Sequence, residues 1–404
     1  MDTKAYKTKS EIIERDMPSI EILGNNQYKS TTVIALDGGY SAVKGVSPKR
    51  IFTIPSYAKK APSNLETIGK VRDTDIQFRN NETGEIWLVG QAAETLMDQA
   101  DIDSTTDASL YTRYRYNSET FKVIMLTGMA LGLWGTNPNN KVFLQTGLPA
   151  TYKDRDEGNL IKALSGNYDI SIKVGNNNWE TFTFTLDKDS IGVMEQPYGT
   201  LMNVSYDHDN NITDIGKKVF NPKSKASAIV LDIGFYTEDI FAAKAGYKAN
   251  HNTYSDTAMR SVLEGTIKEL QEQNSNIEIK IFELQKYLES GKVPCFDPEE
   301  FKSSFIEFGD MLGDVNKELC EKSIKRLVNE YDHLKDYQLL IVTGGTGESR
   351  YEQIKDMLKG FAGLEVIPGN ITEKDLSFSY SNVLGYYKLR RAQKLREQQK
   401  KSAE

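Results

Sequence analysis

Two short segments that lie far apart in this chain share one pattern, and that pattern constrains the fold more than any other feature. They are residues 33–41, VIALDGGYS, and residues 229–237, IVLDIGFYT. In each, an apolar run of strand length ends at an aspartate, a turn with a glycine and a hydroxyl residue follows, and a second apolar run begins. The pattern predicts two β-hairpins, each with an acidic tip.

Two acidic hairpin tips that face each other across a cleft suit a polyphosphate. The turns would offer backbone N–H groups to phosphate oxygens, and the carboxylates of Asp37 and Asp232 would bind the divalent cation that accompanies the phosphates. In the first hairpin, Gly38 and Gly39 are the expected N–H donors and Lys44 supplies a point charge. The combination indicates the chemistry of an ATPase.

The second hairpin adds a hydroxyl, because Thr237 is expected to reach the terminal phosphate. A third segment, TGGTG at residues 343–347, lies between a predicted buried strand and a predicted helix, where glycines let the backbone approach a ligand closely. It lacks the dinucleotide spacing G-x-G-x-x-G, since Arg350 occupies the position of the last glycine. A Rossmann site is therefore not favoured.

Two simpler interpretations of the first hairpin compete with a phosphate site of this kind. Residues 37–44 fail the Walker A pattern because Val43 stands where a glycine should precede the lysine. Taken alone, the segment is also compatible with an ordinary Asp-Gly hairpin turn. The recurrence of the pattern in the second half of the chain favours a ligand site over that simpler interpretation.

The composition sets the broad class. A chain of 404 residues exceeds the size at which one core keeps growing, so two domains are expected. No apolar run has membrane-spanning length and no apolar signal core follows the N-terminus, which predicts a cytoplasmic protein. Two cysteines and three scattered histidines give neither a disulfide framework nor a zinc-like spacing. The net charge of −7 argues against binding nucleic acid over the whole surface.

The order of patterns along the chain predicts an N-terminal extension over 1–30 that is laid on, or trails from, the first domain. The first domain is expected over 31–197, joined by a C-terminal helix over 375–404, and the second domain over 198–374. A short helix over 10–15 is compatible with the sequence, and a long helix with breaks at its glycines is predicted over 298–331.

The three glycine-bearing segments, in this order, resemble the actin/chaperone/sugar-kinase superfamily of ATPases. Within it, the chain resembles the ParM-type plasmid-segregating actin-like proteins of Gram-positive bacteria. The phrases that carry the resemblance are ALDG (35–38), FTIPS (52–56), TGLP (146–149), QPYGTL (196–201) and VTGG (342–345). The resemblance implies an α/β actin-like fold of two RNase H-like domains, each with a mixed five-stranded sheet, and a nucleotide cleft between them.

The resemblance also implies the residues of the site. They form a first phosphate loop, a second phosphate loop and an adenosine loop: Asp37, Gly38, Gly39, Tyr40, Ser41 and Lys44; Asp232, Gly234, Phe235, Tyr236 and Thr237; and Gly344, Gly345, Thr346 and Gly347. Tyr236 stands where relatives usually have a glycine. Relatives place a Gln or Glu at the first connecting helix to orient the attacking water, which indicates Gln196, with Glu195 as the second candidate.

The function implied by the resemblance is that of a polymerising ATPase that uses ATP, with GTP as an alternative, and Mg²⁺ held by Asp37 and Asp232 through water. Its expected partners are further copies of itself and a DNA-binding adaptor of ParR type bound to a plasmid centromere. Neither direct sequence-specific DNA binding nor membrane contact is expected. A small-molecule kinase of the same superfamily and a nucleotide-binding scaffold without hydrolysis are the alternatives.

The C-terminal tail is strongly basic. Its lysines and arginines are Lys388, Arg390, Arg391, Lys394, Arg396, Lys400 and Lys401. A solvated helix face is the expected role of these residues, and contact with a partner or with DNA is the alternative.

Overall fold

The first acidic-tipped hairpin lies inside a meander of antiparallel strands. The computed structural model describes residues 2–20, 30–62, 70–104, 115–221, 223 and 226–403. The strands of the meander are β1 (Glu11–Glu14), β2 (Thr31–Gly38), β3 (Ala42–Val46) and β4 (Arg50–Pro55). β2 is buried along its whole length, as its uninterrupted apolar run predicts.

The first half of the chain continues with two further groups of elements. They are β5 (Ala58–Lys60), β6 (Ile76–Asn80), β7 (Ile86–Val89), α1 (Gln91–Leu96), α2 (Gln99–Ser104), α3 (Glu119–Leu133), β8 (Lys141–Leu148), α4 (Lys153–Leu164), β9 (Gly166–Val174), β10 (Glu180–Leu186) and β11 (Ile191–Glu195). α3 begins where the sequence predicts, because the Ser118 hydroxyl accepts the N–H of Phe121 at its N-terminus. A second sheet has the order β10-β9-β6-β7-β5, and α3 packs between it and the main sheet in one apolar core.

The main sheet of the first half has the strand order β1-β4-β3-β2-β8-β11, in which β2, β8 and β11 run parallel. Five of these strands form the mixed sheet that the resemblance implies, and β1 adds a sixth at the edge. The prediction of a short helix over 10–15 is wrong. The β-branched residues Ile12 and Ile13 pair instead with Phe52 and Ile51 of β4, which offers an open sheet edge.

The second half repeats this plan. Its elements are α5 (Gln196–Ser205), α6 (Asp214–Phe220), β12 (Ser227–Ile233), β13 (Glu238–Lys244), β14 (Tyr247–Tyr254), α7 (Met259–Gln273), α8 (Ile281–Tyr287), β15 (Lys292–Asp297), β16 (Lys302–Glu307), α9 (Gly309–Glu330), β17 (Leu339–Thr343), α10 (Gly345–Leu358), β18 (Glu365–Pro368) and α11 (Ser381–Ala403). The sheet order β14-β13-β12-β17-β18 matches β4-β3-β2-β8-β11 strand for strand. The second acidic tip therefore occupies the same place in its sheet as the first.

The long helix predicted over 298–331 is only partly correct. Residues Lys302–Glu307 form a strand that pairs antiparallel with β15, and the helix begins at Gly309. The sequence SSFIE lacks apolar residues at helical spacing, and the neighbouring strand supplies the hydrogen bonds that favour the extended form. The predicted loop over 343–347 is also shorter than expected, because α10 begins at Gly345.

The two halves meet where α5 crosses α11. The backbones approach so closely that a Cβ on Gly385 would lie 1.7 Å from the carbonyl oxygen of Gly199. Only glycines fit at this crossing. The boundaries of the predicted domains at 30, 197 and 374 stay predictions, and residues 21–29 of the predicted extension lie outside the described residues. None of the described helices has both the length and the apolar character needed to cross a membrane.

The basic tail is not simply a solvated face. The Lys388 ammonium is buried and donates to Asn203 Oδ1 at 2.8 Å and to the Tyr206 carbonyl at 2.8 Å. Burial lowers the pKa of Lys388 to about 8. Arg391 donates to Asn210 Oδ1 at 2.8 Å. Lys388 and Arg391, in the first turns of α11, therefore both form hydrogen bonds within the protein. Arg396 and Lys400, which lie further along α11, are exposed as expected.

Candidate functional site

The tips of the two acidic hairpins face one cavity of about 530 Å³, a volume typical of small-molecule sites. Most of the residues expected at the site line it: Asp37, Gly39, Tyr40, Ser41, Lys44, Gln196, Asp232, Gly234, Phe235, Tyr236, Thr237, Gly344, Gly345 and Thr346. Gly38, Glu195 and Gly347 do not. The structure therefore gathers the three predicted loops around one space.

The first carboxylate, Asp37, lies at the end of β2 and is buried. Its partner across the hairpin is Lys44, whose ammonium lies 4.0 Å from Asp37 Oδ2. The Gln196 amide, at the first residue of α5, donates from Nε2 to Asp37 Oδ1 at 2.9 Å. The first tip thus combines one negative and one positive group with a side-chain amide from the connecting helix.

The second carboxylate, Asp232, has a different partner. It pairs across the hairpin with Asp239, a second buried carboxylate that the sequence analysis missed. Burial, followed by the charge of Asp239, raises the pKa of Asp232 to about 7. Asn382, near the start of α11, donates from Nδ2 to Asp232 Oδ2 at 2.7 Å. Each carboxylate therefore accepts an amide from the helix that follows its sheet.

Three donors fix the position of the Asp239 carboxylate. Its Oδ1 accepts the N–H of Ala150 at 3.0 Å and the hydroxyl of Thr253 at 2.5 Å, and Thr237 also donates to its carboxylate. Burial still raises the pKa of Asp239 to about 6. Since Ala150 follows β8 of the first domain, this carboxylate links the two halves of the molecule.

The turn of the first hairpin is fixed by hydrogen bonds to its carbonyls. Buried Arg115 donates to the carbonyls of Gly38 and Gly39, the latter at 2.8 Å. The Gly39 N–H donates to the Asp37 carbonyl at 2.9 Å, so this expected phosphate donor is engaged within its own turn. A Cβ on Gly39 would lie 2.5 Å from the carbonyl oxygen of Ala42, which explains the glycine. Arg115 was missed because nothing in its local sequence connects it to the hairpin.

The second turn is fixed to the helices behind it. The carbonyl of Gly234 accepts the N–H of Met259 at 3.2 Å and the hydroxyl of Thr346 at 2.9 Å. The carbonyl of Phe235 accepts the N–H of Arg260 at 2.8 Å. The Gly234 N–H donates to the Thr237 carbonyl at 2.9 Å, again within the turn. α7 and α10 thus fix the position of the second loop.

Two tyrosines join the tips across the cavity. The rings of Tyr40 and Tyr236 stack with centroids 4.4 Å apart and an angle of 23° between their planes. The Arg115 guanidinium lies 3.8 Å from the centre of the Tyr40 ring, and that of Arg260 lies 5.2 Å from the centre of the Tyr236 ring. Cation–π attraction stabilises both ends of this stack. The tyrosine that replaces the expected glycine at 236 thus contacts the opposite loop.

The start of α10 offers a third group of donors. Gly344 has a φ of 82°, and a Cβ there would lie 2.3 Å from the Ile233 carbonyl oxygen, so only glycine fits. A Cβ on Gly345, which lines the cavity, would have no atom within 4 Å. The free N–H groups at the start of this 14-residue helix favour an anion. Gly347 lies behind them, where a Cβ would be 3.3 Å from the Val342 side chain.

The two candidates for orienting water have different surroundings. Gln196 lines the cavity and contacts Asp37. Glu195 is turned away and accepts from the Lys248 ammonium at 2.5 Å, with His251 Nδ1 at 2.9 Å from the same oxygen. Of the two, only Gln196 lies where it could contact a molecule in the cavity.

The donor set fits a hydrated divalent cation. Asp37 and Asp232 both line the cavity, and carboxylate oxygens are the ligands that Mg²⁺ prefers. Within the described part of the chain, no group of three or more His, Cys, Asp or Glu side chains is close enough to hold a metal ion. An ion at this position would therefore keep several of its waters, as Mg²⁺ usually does.

Comparison with known proteins agrees with this geometry. Residues 35–199 match the family model for the N-terminal domain of actin-like proteins. The chain has an actin-like fold. The structure of a pCBH ParM non-polymerisable quadruple mutant matches with a TM-score of 0.68 and 20% identity, over 89% of this chain and 99% of that one. A search of curated protein sequences found no match.

Two further solved structures with this fold are informative. A 15-stranded ParM filament from Clostridium botulinum matches with a TM-score of 0.66 and 19% identity, over 89% of this chain and 98% of that one. The archaeal actin homologue Ta0583 in complex with ADP matches with a TM-score of 0.58 and 15% identity, over 91% of this chain and 100% of that one. The actin-like fold thus extends over both halves of the chain.

Proposed function

We propose that this protein is an ATPase that forms filaments, and that ATP binds in the cavity between the two hairpin tips. The observation that carries the proposal is the pair of buried carboxylates, Asp37 and Asp232, at equivalent positions of two similar sheets, each bonded to an amide from a connecting helix. The ADP complex of an archaeal actin homologue with the same fold supports a nucleotide as the ligand.

Each side chain has a part in the proposed reaction. Lys44 and the N-terminus of α10 would neutralise negative charge on the ligand. Thr237, whose hydroxyl donates to Asp239 in this structure, would turn to donate to the terminal phosphate. The Gln196 amide, held by Asp37 through its nitrogen, would use its oxygen to accept a hydrogen bond from the attacking water.

Asp37 and Asp232 would hold Mg²⁺ through water. When bound, this ion neutralises charge on the phosphates during phosphoryl transfer. The pKa of Asp232, raised to about 7, is expected to fall once a cation lies beside the carboxylate. The two carboxylates would then both be ionised at neutral pH.

Assembly would follow from the position of the ligand between two domains. A nucleotide that contacts both hairpins favours one arrangement of the halves, and a surface that includes both halves is complete only in that arrangement. Loss of the terminal phosphate would weaken this preference. A difference of about 2.7 kcal/mol between the nucleotide states would change the critical concentration about a hundredfold.

The proposed role of the filament is plasmid segregation in the cytoplasm, through a ParR-type DNA-binding adaptor on a plasmid centromere. Support comes from the similarity of fold to the ParM proteins. Residues 388–391 do not argue for direct DNA contact, because Lys388 and Arg391 donate within the protein.

The decisive experiment follows light scattering and phosphate release together after ATP is added to the purified protein with Mg²⁺. We expect scattering to rise with ATP or a slowly hydrolysed analogue at protein concentrations where ADP gives none, and phosphate to appear after assembly. Electron microscopy of the same samples should show filaments.

Other outcomes would support the alternatives. A monomer under every nucleotide condition that transfers phosphate to a small hydroxyl compound would indicate a kinase. Nucleotide binding without phosphate release would indicate a scaffold. Either result would overturn the proposal.

A further inference from the structure

The N-terminal segment, residues 2–14, passes along the cavity from one half of the molecule to the other. It starts on the second domain with a short 3-10 turn over Thr3–Tyr6, which is capped by Asp2. The Thr3 hydroxyl donates to the Leu288 carbonyl at 2.7 Å. The hydroxyl of Tyr6 accepts from Asn316 Nδ2 of α9 at 3.1 Å. The first residues of the chain therefore lie on the second domain.

Lys7 then contacts both domains with one ammonium group. Its Nζ forms an ion pair with Glu94 of α1 and donates to the carbonyl of Gln285 in α8 at 3.2 Å. The side chains of Lys7 and Glu94 are only 10% and 9% exposed. A buried charge that loses its partner carries a large desolvation penalty. Separation of the two domains at this point would leave the ammonium without one of its acceptors.

The segment ends on the first domain. The N–H of Ser10 donates to Gln91 Oε1 at 3.0 Å. Residues 11–14 form β1 at the edge of the main sheet, and the Tyr380 hydroxyl donates to Glu11 at 2.9 Å. The chain is thus fixed on both sides of the cleft, with residues 7–9 between the two sets of contacts.

Residues 4–11 also form a wall of the cavity. All eight line it, together with both hairpin tips and the start of α10. Because about 530 Å³ of space remains with the segment in place, the segment covers the site without filling it. A molecule bound to the hairpin tips would have this segment between itself and solvent on that side.

We infer that residues 2–14 form a strap over the nucleotide cleft, and that a bound nucleotide leaves only after the strap releases one domain. This inference rests on the proposed function, since it needs a nucleotide in the cavity. The strap would slow nucleotide exchange, so that hydrolysis rather than exchange would determine how long a subunit keeps its nucleotide state.

The test measures the release of a fluorescent nucleotide. The full chain is loaded with N-methylanthraniloyl-ADP and Mg²⁺, excess unlabelled ADP is added, and the fall in fluorescence gives the dissociation rate. We expect Lys7→Ala to raise this rate about tenfold, and Glu94→Gln to raise it by less because the side chain keeps its shape and can still accept a hydrogen bond. Deletion of residues 2–9, which leaves β1 intact, should raise the rate at least as much as Lys7→Ala.

The matched control is Lys217→Ala. Lys217 forms an exposed ion pair with Asp214 on α6 and does not line the cavity, so its loss should leave the dissociation rate within about twofold of the parent. Circular dichroism melts show whether each variant is folded, and the deletion serves as the test if Lys7→Ala is not.

The outcomes separate the two proposals. If the parent binds the labelled ADP and both strap variants release it at the parental rate, the strap inference is wrong and the proposed function stands. If the parent does not bind labelled ADP or ATP, the proposed function is wrong and the strap inference fails with it. Faster release from Lys7→Ala and from the deletion, with no change in Lys217→Ala, supports the strap.

Discussion

The two hairpins share a backbone plan but differ in the charge beside their carboxylates. Asp37 pairs across its hairpin with Lys44, and Asp232 pairs across its hairpin with Asp239. The first tip is therefore electrically balanced, whereas the second holds two buried carboxylates whose pKa values are raised to about 7 and about 6. The comparison teaches that the same backbone plan places one carboxylate opposite an ammonium group and the other opposite a second carboxylate.

The largest expected effect comes from removing either carboxylate. Asp37→Ala and Asp232→Ala should each lower ATP turnover at least about a hundredfold, which corresponds to about 2.7 kcal/mol of transition-state stabilisation. Phosphate release at saturating Mg-ATP gives the turnover of each variant. The control is Asp214→Ala, at an exposed position on α6. Parental turnover in both variants would show that the tips do not hold the reacting group.

The two amides sharpen the comparison. Gln196→Ala should slow hydrolysis about tenfold or more while nucleotide affinity changes little, because orientation of water matters in the transition state and not in the ground state. Asn382→Ala should act differently, since Asn382 Oδ1 also accepts from Thr200 at 2.7 Å in the buried interface, and we expect a lower melting temperature. Affinity, turnover and melting are measured on both. A large loss of affinity in Gln196→Ala with unchanged turnover would assign it to ligand binding and make Glu195 the next candidate.

Loss of the positive charge at the first tip should weaken binding more than turnover. Lys44→Ala removes a point charge near the phosphates, and we expect about a tenfold loss of ATP affinity, or about 1.4 kcal/mol. Lys44→Arg, which keeps the charge, should retain more of the affinity. Titration of the labelled nucleotide gives both values. Equal affinities for Lys44→Ala and the parent would mean that the first tip does not contact the phosphates.

The smallest expected effect is on the pH dependence of stability in EDTA without nucleotide. A carboxyl whose folded pKa lies above its unfolded value stabilises the fold when protonated, and that contribution is lost as the pH rises through the folded pKa. With Asp232 at about 7 and Asp239 at about 6, stability should fall by about 1 kcal/mol between pH 6.5 and pH 8. Asp239→Asn should reduce this fall, as measured by urea unfolding at several pH values. A parent whose stability is constant across this range would contradict the pairing.

The sequence predicted the elements whose signals are local. Both hairpins, the helix that begins after Ser118, and the strand before Gly344 were found as expected, because apolar periodicity, a capping serine and glycines act within a few residues. The site residues that were missed depend on register and tertiary contact. Asp239 lies inside an apolar strand, and its position opposite Asp232 follows only from the pairing of β12 with β13.

Other features that the sequence did not predict also depend on contacts between residues distant in sequence. Arg115 is distant in sequence from the turn that it binds, and the mixed charges of residues 2–20 give no periodicity from which a strap could be inferred. Lys388 was predicted to be exposed because lysines usually are, but it is buried where Asn203 and Tyr206 supply acceptors. Local patterns therefore predicted the hairpins and helices, the resemblance implied Gln196, and the contacts of Arg115, Asp239 and Lys388 depend on tertiary structure that no local pattern encodes.

The crossing of α5 and α11 determines how motion would be distributed through the molecule. The backbones of Gly199 and Gly385 meet there, the buried ring of Tyr386 packs against Gly199, and Thr200 donates to Asn382. Movement of one helix on the other at this point is therefore restricted to small rotations. Any turn about it is magnified with distance, so a small rotation beside the connecting helices becomes a wide displacement at the far ends of the two domains. Under the proposed function, that is where neighbouring subunits would meet different surfaces in different nucleotide states.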